Sequence, residues 1–291
     1  MTRPSSLPSG TQIGRVSLLA SDRSELVEFY RDVVGLEMCS RSSGETTLGA
    51  GGRALLVIGE DQNAAPRDRT KAGLYHTAFR VPSRTALSDA LRRIRTQWEL
   101  EGASDHDVSE AIYLTDPAGN GVEIYRDRPR DRWSTSGGHV EMGSKPLDLE
   151  SLLAASSGQP EGERIVIEDV IDPETTVGHV HLEVSAIDDA RAFYEDGIGF
   201  DIAVEPAPSV LFFAAGGYHH HVAVNTWNRR SAPASGQGVA WFEITVPDES
   251  ALTAVRDRVR ATGGTLSEHD DGFDVTDPDG IEVRVRLENG T

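Results

Sequence analysis

The chain repeats itself, and this constrains its fold more than any other feature. Residues 13–36, IGRVSLLASDRSELVEFYRDVVGL, align without a gap to residues 177–200, VGHVHLEVSAIDDARAFYEDGIGF, at an offset of 164. Gly14 meets Gly178, Phe29 meets Phe193, Tyr30 meets Tyr194 and Gly35 meets Gly199. Residues 72–87, AGLYHTAFRVPSRTAL, align in turn to residues 237–252, QGVAWFEITVPDESAL, at an offset of 165. Each half also carries a DP turn, Asp116-Pro117-Ala118-Gly119 in the first and Asp277-Pro278-Asp279-Gly280 in the second. The halves therefore share an order of parts, and each holds two similar units. That gives four modules, at 11–60, 70–128, 176–227 and 237–288.

Each module reads as a strand, a helix and then more strands, a βαβββ order. Val16 and Leu18, like Val180 and Leu182, alternate with their neighbours as strand residues do. SDRSELVEFYRDVVG and SAIDDARAFYEDGIG start polar, keep helical apolar spacing and close on Gly. Short runs such as Arg53–Ile58 and Val210–Ala214 are rich in strand-forming residues. The stretch 129–175 is rich in Ser, Gly, Pro and Glu, with one short helical pattern at Leu147–Ala155. It reads as a connector between an N-terminal domain, 1–128, and a C-terminal domain, 176–291.

Composition narrows the partners. With 28 basic and 47 acidic residues among 291, the net charge is −19. Such a surface repels nucleic acid and anionic membranes. All the basic residues except Lys71 and Lys145 are arginine. Solubility accounts for this balance, and so does a halophilic, high-salt cytoplasm in which screening mutes repulsion among carboxylates. No apolar run reaches the length of a membrane span, and MTRPSSLPSGTQIG lacks the apolar stretch of a secretory signal. One cysteine, Cys39, excludes an intramolecular disulfide and reads as a packed thiol. A cytoplasmic protein is the expectation.

LYHTAFRVPSR, DPAGNGVEIYRDRP and the paired FY…G segments resemble the vicinal oxygen chelate superfamily, which includes glyoxalase I, bleomycin-binding proteins and extradiol dioxygenases. The longer stretches GASDHDVSEAIYLTDPAGNGVEIYRDRPRDRW, KPLDLESLL and FFAAGGYHHHVAVNTWNRRSAP resemble two-domain catechol 2,3-dioxygenases. The resemblance spans nearly everything after residue 11. It implies an α+β fold of four βαβββ modules forming two domains of curved mixed sheets.

It also implies where a metal sits. Ligands in this superfamily come from the first strand of a module, five residues before its closing Val, and from the last strand, seven residues after the Asp of the DP turn. Module 1 offers Arg15 there, and module 4 offers Trp241 and Arg284, none of which donates a lone pair to a cation. Module 2 offers His76 and Glu123, and module 3 offers His179. Two histidines and a carboxylate with open positions form the non-haem Fe(II) arrangement, which also suits Mn(II). Modules 2 and 3 are then expected to line one shared cavity, leaving modules 1 and 4 as a metal-free pair. Other readings stay open: hydrogen-bonded core histidines, a salt bridge from Glu123 to an arginine, and His181 in place of His179, since the two share a strand face.

Other residues carry roles implied by the resemblance. His220, in His219-His220-His221, matches the acid–base histidine; the alternative is a loop of solvated histidines. Tyr113 matches a tyrosine donating to a substrate oxygen, or else a packed strand aromatic. His106 matches a substrate-contacting histidine at the cavity mouth, Asn225 and Trp227 are candidate lining residues, and His139 and His269 read as solvated. The implied reaction is extradiol cleavage of an aromatic diol by O₂. A glyoxalase-type isomerase would want a fourth ligand, which VAVNTW in the last strand of module 3 does not offer. A metal-free antibiotic-binding protein would not carry this histidine set. Edge strands of such modules often pair, so a homo-oligomer is expected.

Overall fold

The computed structural model describes residues 6–137, 139–156 and 170–288. Its strands form two large sheets, and each sheet takes one module from each half of the chain. The nine-stranded sheet runs Lys145–Pro146, Gly102–Asp105, Ser109–Thr115, Gly121–Asp127, Gly73–Arg80, Thr176–Glu183, Val222–Asn225, Val210–Ala214 and Asp201–Ala207 in spatial order. Modules 2 and 3 supply it, apart from the edge strand Lys145–Pro146, which comes from the 129–175 stretch. The eight-stranded sheet runs Leu266–His269, Gly272–Thr276, Glu282–Leu287, Gly238–Val246, Gln12–Ala20, Arg53–Glu60, Glu45–Ala50 and Glu37–Arg41, from modules 4 and 1. Both sheets are mixed. In each, the seam between modules is an antiparallel pair of first strands: Thr176–Glu183 on Gly73–Arg80, and Gln12–Ala20 on Gly238–Val246.

The helices tie the sheets together. In modules 1 and 3 the helix opens as an α-turn, Ser24–Glu28 or Ile187–Arg191, and continues as a π-helix, Phe29–Val34 or Ala192–Ile198. Both stop at the glycine that the repeat aligns, Gly35 at φ 90° and Gly199 at φ 100°, a conformation that suits glycine at a helix end. The π-helices pack against Arg84–Gln97 and Glu249–Ala261, the helices of modules 2 and 4. Tyr30 and Tyr194 are buried there and donate to buried carboxylates of the DP turns, Asp116 and Asp277, each at 3.0 Å. So strands pair across the halves while helices pair within them. Most of the described buried apolar residues join into one cluster that runs through both sheets, while Ala78, Ala111 and Tyr125 form a small second one under the nine-stranded sheet's polar centre. The short helix expected at 147–155 is Leu149–Leu153, followed by a 3₁₀ turn at Ala154–Ser156.

One expectation is corrected. Cys39 is exposed rather than packed, because its strand Glu37–Arg41 lies at the edge of the eight-stranded sheet with every residue exposed. His269 is exposed and bonded to Asp274, whereas the His139 side chain lies outside the described residues.

Candidate metal centre and active site

Three adjacent strands build the centre. Ala78, in Gly73–Arg80, lies in register with Glu123 on one neighbour and with His179 on the other. All three share one face, and His76, two residues before Ala78, shares it too. Ala78 is fully buried, and its lone methyl leaves the larger side chains room to meet above it. His179 reaches this position through a β-bulge: Val177 opposes Phe79 and His179 opposes Ala78, which leaves Gly178 as the extra residue. A Cβ on Gly178 would stand 1.8 Å from the Tyr125 hydroxyl, so the close approach of strand and ring requires glycine.

The three side chains converge on one point. His76 Nε2 lies 3.0 Å from Glu123 Oε2, His179 Nε2 lies 3.2 Å from the same oxygen, and the two Nε2 atoms are 3.3 Å apart. All are buried. Ligand atoms about 2.1 Å from one centre and at right angles stand about 3.0 Å apart, so this triangle fits a divalent cation. The alternative of an arginine partner for Glu123 is not what forms; its neighbours are the two histidines.

The charge states suit a metal as well. Burial pushes the Glu123 carboxyl up, but the His179 and His76 interactions outweigh it and hold Glu123 well below the usual carboxylate range. Burial pushes His179 down to about 4, against the pull of Glu123. Near neutrality this is an ionised carboxylate beside neutral His179, the protonation state in which such side chains bind metal. Among the described residues His179 Nδ1 has no hydrogen-bond partner; its Nε2 meets the carboxylate and His76, and its ring packs against those of His220 and Tyr125.

A cavity of about 1420 Å³ opens over the centre, lined by His76, Glu123, His179, His181, His220 and Tyr113 among others. His220 sits in the loop between Val210–Ala214 and Val222–Asn225, with its ring centroid 4.0 Å from that of His179 and 5.0 Å from that of Phe212. The histidine run is buried throughout, so it is not a solvated loop. His181 also faces the cavity, and burial holds it well below its ordinary value, hence neutral. Tyr75 and Trp227, both partly exposed, pack their rings against it.

Two roles suggested by the resemblance change in the structure. Asn225 is completely buried and stands behind His181 instead of lining the cavity. Its Oδ1 accepts from the Trp227 amide and its Nδ2 meets His181 Nε2 at 3.0 Å, so it orients His181 from the inside of the sheet. Tyr113 lines the cavity, but its hydroxyl is 2.7 Å from His106 Nε2. His106 Nδ1 lies 2.8 Å from the carbonyl of Gly143, which only accepts, so a neutral His106 accepts a hydrogen bond from the Tyr113 hydroxyl at Nε2. Tyr113 thus presents lone pairs to the cavity, not a free donor. Burial, with the Glu123 charge, keeps its hydroxyl protonated far above its ordinary value.

The position of a second centre is filled differently. In the eight-stranded sheet, Arg15 is bound by Glu243 at 2.5 Å, and Arg284 lies over the Trp241 ring at 3.9 Å. Ligand atoms there are replaced by guanidinium groups.

Comparison with known proteins agrees with the architecture. The Glyoxalase/Bleomycin resistance protein/Dioxygenase superfamily profile matches residues 12–124 and 176–285. The chain belongs to this superfamily. It is 35% identical over 280 residues to the catechol-2,3-dioxygenase of Bacillus subtilis strain 168, covering 94% of this chain and 96% of that one. It is 29% identical over 126 residues to the metallothiol transferase FosB of Staphylococcus haemolyticus, covering 42% of this chain and 88% of that one. Among solved structures, glyoxalase I from Zea mays superposes with a TM-score of 0.58 at 13% identity, over 96% of this chain and 92% of that one. This last likeness is one of fold. Among the described residues, no helix is long and apolar enough to cross a membrane.

Proposed function

We propose that this member of the superfamily is a divalent-metal-dependent extradiol dioxygenase that opens the ring of a catechol-type diol with O₂. The observation that carries the reading is the buried triangle of His76, Glu123 and His179 at the floor of a cavity, with a buried histidine, His220, beside it. The 35% identity to a catechol-2,3-dioxygenase over nearly the full length of both chains supports it. The three side chains would hold the ion, Fe(II) in this reading and Mn(II) by the same donor set. When bound, that ion would supply chelation of adjacent diol oxygens and redox chemistry toward O₂.

The chain's own residues do the rest. His220 accepts a hydroxyl proton of the incoming diol and returns it as the ring opens. Burial keeps His220 neutral in the resting site, well below its ordinary value, so it arrives ready to accept. Tyr113 and His106 form a fixed hydrogen-bonded pair on the wall, and Tyr113 accepts from a substrate hydroxyl on its cavity side. His181, Tyr75 and Trp227 supply a ring-lined wall toward the mouth.

The test is anaerobic loading with Fe(II), followed by catechol and air, with the ring-opened product read by its absorbance. Wild type should form product and His179→Ala should not. Product formation that survives His179→Ala would refute a centre shared between the two halves.

A further inference from the structure

One nitrogen of His220, the proposed proton acceptor, is already engaged: Nδ1. It lies 2.7 Å from His219 Nδ1, while His219 Nε2 lies 2.9 Å from Asp127 Oδ1. Asp127 belongs to the same strand face as Glu123 and Tyr125, at the end of Gly121–Asp127. A carboxylate can only accept, so His219 donates from Nε2, and a neutral His219 then keeps the lone pair on its Nδ1. His220 must then donate from Nδ1, and its Nε2 carries no proton. Which nitrogen of an imidazole bears the proton is set by the partner of the other.

Asp127 is itself held. The Tyr218 hydroxyl stands 3.2 and 3.1 Å from its two oxygens, and Arg80 approaches at 3.5 Å. Tyr218 donates to the carboxylate and so accepts from Tyr125, at 2.8 Å. The whole chain of groups is packed: His219 is 1% exposed, with the Tyr218 ring 4.0 Å from its own.

We infer that Asp127 and His219 are positioning residues for His220: they lock it in the Nδ1–H tautomer, which leaves Nε2 as the proton acceptor. This rests on the reading of His220 as the base. The sequence showed the histidine run but gave no partner for it.

The tautomer is read directly by ¹⁵N NMR on full-length, histidine-labelled protein loaded with diamagnetic Zn(II). His220 should show a protonated Nδ1 and an unprotonated Nε2. The reverse pattern, with His219 protonated on both nitrogens, overturns the inference without any variant. In Asp127→Asn the amide oxygen stays with Arg80 and the amide N–H₂ turns to His219 Nε2. Each proton in the chain then shifts, and His220 should carry its proton on Nε2. In the Fe(II) enzyme kcat should fall about 100- to 10,000-fold with KM nearly unchanged. The same substitution in a His220→Gln background should cost less than about threefold, because the group it positions is gone. An equal loss in both backgrounds overturns the inference. Absence of ring cleavage in wild type would instead refute the proposed reaction, and the NMR pattern would still decide the tautomer.

Discussion

Replacing Gly178 by alanine tests how the third ligand reaches the centre. The new Cβ would stand 1.8 Å from the Tyr125 hydroxyl oxygen, 2.6 Å from Cζ and 2.9 Å from Cε1. Ordinary contacts between such atoms are about 3.5 Å, so ring and strand must part by more than an ångström. Overpacking of this kind costs about 1–3 kcal/mol. The ring cannot withdraw and keep its 2.8 Å hydrogen bond to Tyr218, and that loss adds about 1 kcal/mol. The sum is about 2–4 kcal/mol, or roughly 5–10 °C in a chain of this size. Thermal unfolding of the metal-free protein measures it. Tyr125→Phe removes the atom in closest conflict, so the double variant should recover part of the loss relative to the sum of the single changes. A melting temperature within 1 °C or so of wild type would refute the idea that the bulge depends on glycine.

Three further outcomes follow from the same geometry. Asp277 is pushed up to about 6 by burial, from 3.8. A carboxyl with a raised folded value stabilises the fold most fully below its unfolded value, and that contribution is lost as pH rises to 6 and beyond. Wild type should therefore lose about 2 kcal/mol relative to Asp277→Asn between pH 4 and 6.5 in denaturant titrations; a flat difference would show that the group is not shifted. Glu123→Gln should weaken binding of one divalent ion by more than the 10- to 100-fold typical of an outer-shell partner, measured by calorimetry; unchanged affinity would place the metal elsewhere. Asn225→Leu strips the partner from His181 Nε2 and from the Trp227 amide, and should cost about 1–3 kcal/mol in chemical unfolding while leaving metal stoichiometry at one.

The repeat made the modules and the strand–helix–strand order legible, because alternation and closing glycines are local signals. It was the resemblance to a known superfamily, not strand period, that pointed to His76 in LYHTAF and Glu123 in GVEIY as ligands. What local pattern could not show is the partner of each group. Asp127 lies two positions beyond Tyr125 on the face of Glu123, yet its bond to His219 depends on a loop more than ninety residues later. Tyr113 looked like a donor to substrate, but its hydroxyl already donates to His106. Asn225 looked like a cavity residue because it sits in a strand beside the histidines, but its side chain turns inward to His181. The π-helices were equally hidden, since apolar spacing over one or two turns does not separate them from α-helices.

The antiparallel seam between Gly73–Arg80 and Thr176–Glu183 has a consequence for how the protein is made. A nascent chain that has cleared only its first half owns His76 and Glu123 but no third ligand. Its strands Gly73–Arg80 and Gln12–Ala20 each have one side waiting for a partner that is not yet synthesised. Those open edges invite pairing with other chains. Premature termination between the halves would therefore yield an aggregating fragment, and a complete triangle of His76, Glu123 and His179 requires that both halves were translated and have found each other.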